Sequence, residues 1–109
     1  MSNSALEIEV EALNKLIAKS ADIQLLDVRE GWETEICALP GSIFMPLSTF
    51  TEPPSELDPE KQIVVICHHG MRSLETAFWL RENGWPNAVS LRGGIDAWAR
   101  RIDPDIETY

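Results

Sequence analysis

The chain has 109 residues, of which 44% are hydrophobic and 25% are charged, so we expect one compact domain over residues 1–109 rather than two. Its formal net charge of −9 argues against nucleic acid and anionic membranes as partners, because binding their phosphate groups requires clustered Lys and Arg. The N-terminus has no apolar run typical of a signal peptide, and no stretch approaches the roughly 20 apolar residues of a membrane span. The sequence therefore predicts a cytoplasmic protein whose cysteines, Cys37 and Cys67, are free thiols.

The first half of the chain combines one helix with short apolar strands. Apolar residues at helical spacing predict a helix over VEALNKLIAK, residues 10–19. IQLLDV, residues 23–28, and GSIFMP, residues 41–46, are short apolar runs typical of strands, and a proline ends the second. TEPPSELDPEKQ, residues 51–62, is rich in proline and acidic residues. It predicts a surface loop with one helical turn around residues 55–57.

The second half of the chain alternates strands with helices. IVVIC, residues 63–67, lacks polar alternation, which indicates a strand covered on both faces, as in a parallel sheet. SLETAFWLRENG, residues 73–84, predicts a helix that stops at its glycine and has an apolar face formed by Leu74, Ala77, Phe78 and Leu80. A short strand at residues 87–91 and a helix at residues 93–101 follow. The alternation predicts an α/β domain with a mainly parallel sheet.

Cys67 is the candidate nucleophile. Ligands bind outside the carboxyl ends of parallel strands, and Cys67 ends its predicted strand there. The next helix presents free N–H groups and the positive end of its dipole, which stabilise a thiolate, the nucleophilic form of cysteine. Arg72 adds positive charge, and Gly70 lets the backbone curl close to the sulfur. This combination favours a reactive cysteine over a small buried hydrophobic one.

Four segments resemble one known family. CHHGMRS, residues 67–73, is similar to the active-site loop of rhodanese-type sulfurtransferases, which commonly reads C-x-x-G-x-R-S. LLDVREGWE, LPGSIFMPL and LRGGIDAW resemble that family's D-V-R-x-x-x-E, I-P-G-A-x-x-I-P-L and G-G-x-x-x-W segments, in the same order, over about residues 23–98. The resemblance implies a rhodanese-like fold, with a five-stranded, mainly parallel sheet and helices on both faces.

The same resemblance implies a thiosulfate:cyanide sulfurtransferase. Cys67 would take the outer sulfur of a small donor such as thiosulfate as a persulfide. It would then pass that sulfur to a thiophilic acceptor, which is cyanide, a thiol or a partner protein. No cofactor and no metal are implied. The loop around the persulfide would consist of His68, His69, Gly70, Met71, Arg72 and Ser73.

Several roles near Cys67 have two interpretations. Arg72 either binds a small oxyanion, which we favour, or clamps loop carbonyls. Asp27 and Arg29 end a strand at the same sheet edge, where they either order the floor of the site or form a partly exposed pair of little energetic weight. The position of Cys37 is often glycine in the family, followed by histidine. Cys37 is therefore an outside candidate for a resolving thiol, although a semi-buried structural cysteine is the favoured interpretation.

The paired histidines and the tryptophans have simpler interpretations. His68 and His69 adjoin Cys67, but adjacent ligands do not converge readily on one ion, so we expect no metal site. We expect them instead to tune the charge of the loop near neutral pH. Trp32, just after the DVRE segment, should lie near the pocket mouth, whereas the other tryptophans pack in the core or at its rim.

Three other functions compete with a sulfurtransferase. A cysteine phosphatase or arsenate reductase would have five residues between cysteine and arginine, whereas four separate Cys67 from Arg72, which makes a smaller cradle suited to sulfur. A non-enzymatic persulfide carrier or scaffold would use the same cysteine and dock a basic partner on its acidic surface. A redox sensor would need Cys37 within bridging distance of Cys67.

Overall fold

A computed structural model describes residues 6–49 and 52–109. In that part of the chain, five strands form one sheet: β1 (Glu7–Ile8), β2 (Ile23–Asp27), β3 (Ile43–Phe44), β4 (Gln62–Ile66) and β5 (Ala88–Leu91). The helices are α1 (Val10–Ala18), α2 (Gly31–Ile36), α3 (Met71–Glu82) and α4 (Gly94–Arg101). Every neighbouring pair of strands is parallel, in the order β1-β5-β4-β2-β3. The predicted five-stranded α/β architecture is confirmed.

The central strand β4 is buried on both faces, as its unbroken apolar sequence predicted. Ile63 and Val65 pack into a core cluster with α3, whereas Val64 and Ile66 pack into a second cluster with α1 and α4. All four side chains are 0% exposed, and burying a side chain of this size contributes about 1.5–3 kcal/mol. Helices therefore cover both faces of the sheet, and β4 is held firmly where it delivers Cys67.

The helix α3 meets the sheet with a face that only partly matches the predicted one, since Ala77 and Leu80 are buried as predicted but Phe78 is not. Its buried side chains, at spacings of three and four residues, are Ser73, Thr76, Ala77 and Leu80. Phe78 is 57% exposed, so the prediction that it faces the core is wrong. Each helical residue is turned about 100° from the one before, and Phe78 follows a residue that points at the sheet. The helix ends before Gly84, whose φ of +106° suits the predicted stop.

The proline-rich loop contributes to the core. Leu57 is 4% exposed and belongs to the cluster under α3, and its N–H donates to the carbonyl of Pro54 at 3.0 Å. The predicted turn around residues 55–57 is therefore present, but the segment is not wholly a surface loop. Thr51, the first residue of the predicted loop, lies outside the described residues.

Two elements escaped the sequence analysis. Strand β1 has only two residues, and its partner β5 decides its structure through the parallel pairing of Glu7 with Ser90. Helix α2 begins with a capping box in which the Glu30 and Glu33 side chains accept each other's backbone N–H. Within the described ranges, no helix is long and apolar enough to cross a membrane.

Candidate active site

Cys67 follows β4 at the carboxyl edge of the sheet, where the strand sequence predicted it. It is a free cysteine and is 1% exposed. Its Sγ accepts backbone N–H groups from Gly70 at 3.0 Å and from Ser73 at 3.3 Å. Both donors lie in the first turn of α3 or just before it, so the sulfur faces the positive end of that helix. The arrangement stabilises negative charge on the sulfur.

A glycine makes this curl of the backbone possible. Gly70 has a φ of +100°, in the left-handed region that side chains disfavour. A Cβ at this position would also lie 3.1 Å from the backbone nitrogen of Gly93. The loop therefore passes close to the start of α4, and a larger residue at position 70 would push the N–H away from the sulfur.

The first turn of α4 holds the other side of the loop. The N–H of Ile95 donates to the Cys67 carbonyl at 2.9 Å, and the N–H of Asp96 donates to the His68 carbonyl at 3.0 Å. Gly94 lies against these two carbonyls, so a Cβ there would overlap them. This contact of the Gly-Gly pair in the LRGGIDAW segment was not predicted from the sequence. The carbonyls of the loop thus point at α4, which leaves its N–H groups free to point at the sulfur.

A pair of buried serines adjoins the sulfur. The thiol of Cys67 donates to Ser73 Oγ at 3.3 Å, and Ser73 Oγ lies 2.6 Å from Ser90 Oγ. Both serines are 0% exposed. Since either hydroxyl can be the donor in the pair, Ser73 can accept from a thiol or donate to a thiolate. Ser73 was predicted as part of the loop, whereas Ser90, which comes from β5, was not predicted.

Glu33 is a buried carboxylate that the sequence analysis did not single out. It is 3% exposed and accepts four hydrogen bonds, each at 2.9 Å: two from the Arg72 guanidinium, one from the Glu30 N–H and one from the Tyr109 hydroxyl. A carboxylate has about four lone-pair positions, so its acceptor capacity is used. Glu33 is the last residue of the D-V-R-x-x-x-E segment, and that match was the signal for it in the sequence.

Arg72 therefore contacts a carboxylate rather than the loop carbonyls that one interpretation assigned to it. Its pKa is raised, chiefly because Glu33 accepts hydrogen bonds from it. The same bonds, acting against the effect of burial, lower the pKa of Glu33 to about 2. The side chain of Arg72 remains 37% exposed. The substrate-binding role that we favoured for it stays a prediction.

Asp27 and Arg29 lie beside this pair, and Arg29 Nη1 contacts the Glu33 carbonyl at 3.4 Å. Both are 0% exposed, so the interpretation of a partly exposed pair is wrong. Arg29 Nη2 lies 2.7 Å from Asp27 Oδ2, and Nη1 donates to the Tyr109 hydroxyl at 3.0 Å. Burial alone would lower the pKa of Arg29, but its hydrogen bonds to these two partners outweigh burial and raise it. Arg29 stays charged and links β2 to the Glu33 carboxylate through Tyr109.

Tyr109 closes one side of the loop, and no signal in the sequence pointed to it. Its ring stacks on that of His68 with centroids 4.1 Å apart, and Trp32 packs edge-on against it at 5.7 Å. Burial, which disfavours the phenolate, raises the pKa of Tyr109 to about 12. The phenol therefore stays protonated, and its hydroxyl donates a hydrogen bond to Glu33. Trp32 is 63% exposed, which is consistent with its predicted position at the mouth of the site.

His68 and His69 differ in environment. Burial, reinforced by the charge of His69, lowers the pKa of His68. His69 is 63% exposed and lies 3.8 Å from Asp96. The ligand atoms of these three residues lie within 4.8 Å of one another, but the two imidazole rings stack at 4.1 Å with planes 16° apart. A ring nitrogen binds a metal in the plane of its ring, so stacked rings do not share one ion without turning.

The remaining loop and cysteine predictions have mixed outcomes. Met71 begins α3 and is 73% exposed, so it forms part of the rim and not of the sulfur's hydrogen-bond shell. Cys37 is a half-buried free thiol that packs with the cluster under α4, whereas Cys67 packs with the cluster under α3. The two thiols thus belong to clusters on opposite faces of the sheet, which gives the resolving-thiol prediction no support.

The loop, the start of α3 and the Asp27–Arg29 pair together surround one buried cysteine, Cys67, at the carboxyl edge of the sheet. Comparison with known proteins identifies the class. The chain matches the family model described as "Rhodanese-like domain" over residues 9–101, so it belongs to the rhodanese-like domain family. The implied family resemblance is confirmed, and it favours sulfur chemistry over the phosphatase and arsenate reductase alternatives.

Individual relatives agree with the family match. The chain is 40% identical, over 94% of its own length, to "Rhodanese-like/PpiC domain-containing protein 12, chloroplastic" of Arabidopsis thaliana, of which it spans 37%. It is 32% identical to a "Sulfurtransferase" of Allochromatium vinosum, covering 92% of this chain and 94% of that protein. A rhodanese-like domain protein from Staphylococcus aureus superposes with a TM-score of 0.79 at 26% identity, covering 94% and 97% of the two chains. These similarities support rhodanese-type sulfur transfer in general.

Proposed function

We propose that this chain, as a single rhodanese-like domain, transfers a sulfane sulfur through a persulfide on Cys67. The observation that carries the proposal is the pair of backbone N–H groups on Cys67 Sγ, from Gly70 at 3.0 Å and Ser73 at 3.3 Å. Such fixed donors stabilise an anionic sulfur without having to reorient when the charge develops. No metal or organic cofactor takes part in the proposed chemistry.

The reaction has two half-steps. In the first, the Cys67 thiolate attacks the outer sulfur of the donor, a new S–S bond forms, and the electron pair of the donor's S–S bond leaves with the remainder. With thiosulfate the leaving group is sulfite. In the second, a thiophilic nucleophile attacks the terminal sulfur of the persulfide, and the electron pair returns to Cys67 as thiolate. Cyanide as acceptor gives thiocyanate, whereas a thiol gives a new persulfide.

The loop's contacts suit both half-steps. Because the carbonyls of Cys67 and His68 are bonded to α4, the N–H groups of the loop remain directed at the sulfur through the cycle. The Ser73 hydroxyl can switch between accepting from the thiol and donating to an anion, with Ser90 as its partner. The free state of both cysteines fits a reducing compartment, and we propose that the protein acts in the cytoplasm.

Mass spectrometry of the intact chain tests the proposal. The protein is incubated with an excess of thiosulfate and, separately, with methanethiosulfonate. We expect one adduct of about 32 Da, a single sulfur atom, that is removed by cyanide. Cys67→Ala should lose the adduct with both donors, whereas the matched variant Cys37→Ala should keep it. Absence of the adduct with both donors, or an adduct that follows Cys37, would overturn the proposal.

A persulfide carrier is the second candidate function. Met71 and Trp32 are exposed apolar side chains around the loop, at 73% and 63%, and they offer a contact surface for a partner protein. A carrier would be loaded readily by a protein persulfide donor but would release little thiocyanate in steady-state turnover. Sustained thiocyanate formation that saturates with donor concentration identifies the enzyme instead.

A further inference from the structure

Arg72, the cation of the sulfur-binding loop, is already neutralised by Glu33. Both terminal nitrogens of Arg72 donate to the Glu33 carboxylate at 2.9 Å, so the two charges form a bidentate pair. The Tyr109 hydroxyl and the Glu30 N–H keep that carboxylate in place. A substrate approaching Cys67 therefore meets a neutral pair and not a free guanidinium.

The other charges around the site are also compensated. Arg29 is paired with Asp27 at 2.7 Å. On the α4 side, Asp96 lies between His69 at 3.8 Å and Arg100 at 3.1 Å. His68 is half-buried and stacked between two rings, in a setting that favours its neutral form. Among the described residues facing the loop, we find no cation without a carboxylate beside it.

What remains for binding an anion is the set of loop N–H groups. Two of them already contact Cys67 Sγ, and with the helix dipole they offer partial charges equivalent to roughly half an elementary charge. That suits the single negative charge of a persulfide. A dianion brings further charge for which the site has no free partner, and the protein's net charge of −9 adds repulsion at longer range.

We propose that Glu33 is a specificity-determining residue that directs the site towards organic sulfane-sulfur donors with one negative charge and away from dianionic thiosulfate. The inference rests on the proposed Cys67 persulfide chemistry and names the donor class for it. Exposed apolar side chains at the same sheet edge, those of Trp32, Phe44 and Met71, are suited to an organic substituent. An organic thiosulfonate or a small organic persulfide has both features.

Two donors of nearly the same shape separate charge from size. Methanethiosulfonate is thiosulfate with a methyl group in place of one oxygen, so it carries one negative charge instead of two. Cys67 thiolate attacks the outer sulfur of either donor, and the S–S electron pair leaves with methanesulfinate or with sulfite. Each donor has its own intrinsic reactivity, but the ratio of variant to wild-type kcat/KM cancels it.

The decisive variant is Glu33→Gln, which removes the charge that neutralises Arg72. Coulomb energy is proportional to the donor's charge, so the fold-increase for thiosulfate should be about the square of that for methanethiosulfonate. We expect kcat/KM to rise roughly tenfold for thiosulfate and roughly threefold for the monoanion. Glu35→Gln, which removes an exposed carboxylate from the same helix, should change neither donor by more than about twofold, since exposed charges are screened.

The outcomes distinguish this inference from the proposed function. A persulfide adduct together with equal fold-changes for both donors in Glu33→Gln would overturn the donor preference and leave Cys67 chemistry standing. Absence of the adduct with both donors would overturn both. Should Glu33→Gln fail to fold, the salt dependence of the wild type decides. We expect kcat/KM for thiosulfate to rise with added salt, because salt screens repulsion, whereas a fall would show an unpaired cation and contradict the inference.

Discussion

Acid should destabilise the folded protein through Glu33. The hydrogen bonds from Arg72, acting against burial, lower the pKa of Glu33 from 4.5 to about 2. A carboxyl group with a lowered folded-state pKa stabilises the fold above its unfolded-state pKa, and that stabilisation is lost as the pH falls through the folded-state value. At about 1.4 kcal/mol for each tenfold difference in proton affinity, the contribution near neutral pH is about 3 kcal/mol. Glu33 is 3% exposed, but the Arg72 side chain is 37% exposed, so solvent screens part of this interaction and about 3 kcal/mol is its upper value.

The variant Glu33→Gln removes this titration and isolates it from all the others. The free energy of unfolding of the wild type should exceed that of the variant by an amount that shrinks by about 2 kcal/mol between about pH 7 and about pH 3. Urea denaturation followed by circular dichroism at both pH values measures the difference. Glu35→Gln, on the exposed side of the same helix, is the matched control, and its difference from wild type should stay nearly constant.

One result would refute the electrostatic reasoning. If the wild type exceeds Glu33→Gln by the same amount at both pH values, Glu33 does not bind protons differently in the folded and unfolded states. The bidentate pair with Arg72 would then contribute only through packing. A difference that widens on acidification would mean that Glu33 is held protonated in the fold, with the opposite sign of linkage.

Two further substitutions examine the surroundings of the loop. Tyr109→Phe keeps the ring stacked on His68 but deletes the hydroxyl that joins Arg29 to Glu33. We therefore expect the free energy of unfolding, measured with urea, to fall by about 1–3 kcal/mol. A change below about 0.5 kcal/mol would show that this hydroxyl does not stabilise the fold. Gly94→Ala would place a Cβ against the loop carbonyls at a φ of +64°, and we expect the melting temperature to fall by at least about 5 °C. An unchanged melting temperature with full persulfide formation would contradict the close packing of α4 on the loop.

The fold followed from the sequence wherever local pattern decided it. An apolar run without alternation predicted β4 and its two covered faces, because a strand buried on both sides has no polar position. The faces of α3 were harder, since an apolar residue such as Phe78 does not reveal which side meets the sheet. The two-residue β1 and the short α2 were missed because their structure depends on pairing with β5 and on a single capping box.

The candidate site likewise has a part that the sequence predicted and a part that it did not. The loop from Cys67 to Ser73 is contiguous in the chain, so the position of its cysteine at the end of β4 and the turn at its glycine were predicted from the sequence. The partners that surround it are distant in sequence: Glu33 is 39 residues from Arg72, and Tyr109 is 76 residues from Glu33. No local pattern specifies such contacts, although the conspicuous glutamate of the D-V-R-x-x-x-E segment offered a signal for the first.

By itself, the sequence determined that this chain folds as an α/β domain whose central strand is followed directly by Cys67 and a tight glycine turn. These properties depend on backbone preferences and on burial patterns within a few residues. Only the tertiary structure decided that Arg72 is neutralised by Glu33 and that Tyr109 joins that pair to the buried Arg29. The reason is that the parallel crossovers decide which charged side chains become neighbours. The net charge that a substrate meets at the site is the sum of the charges in those ion pairs.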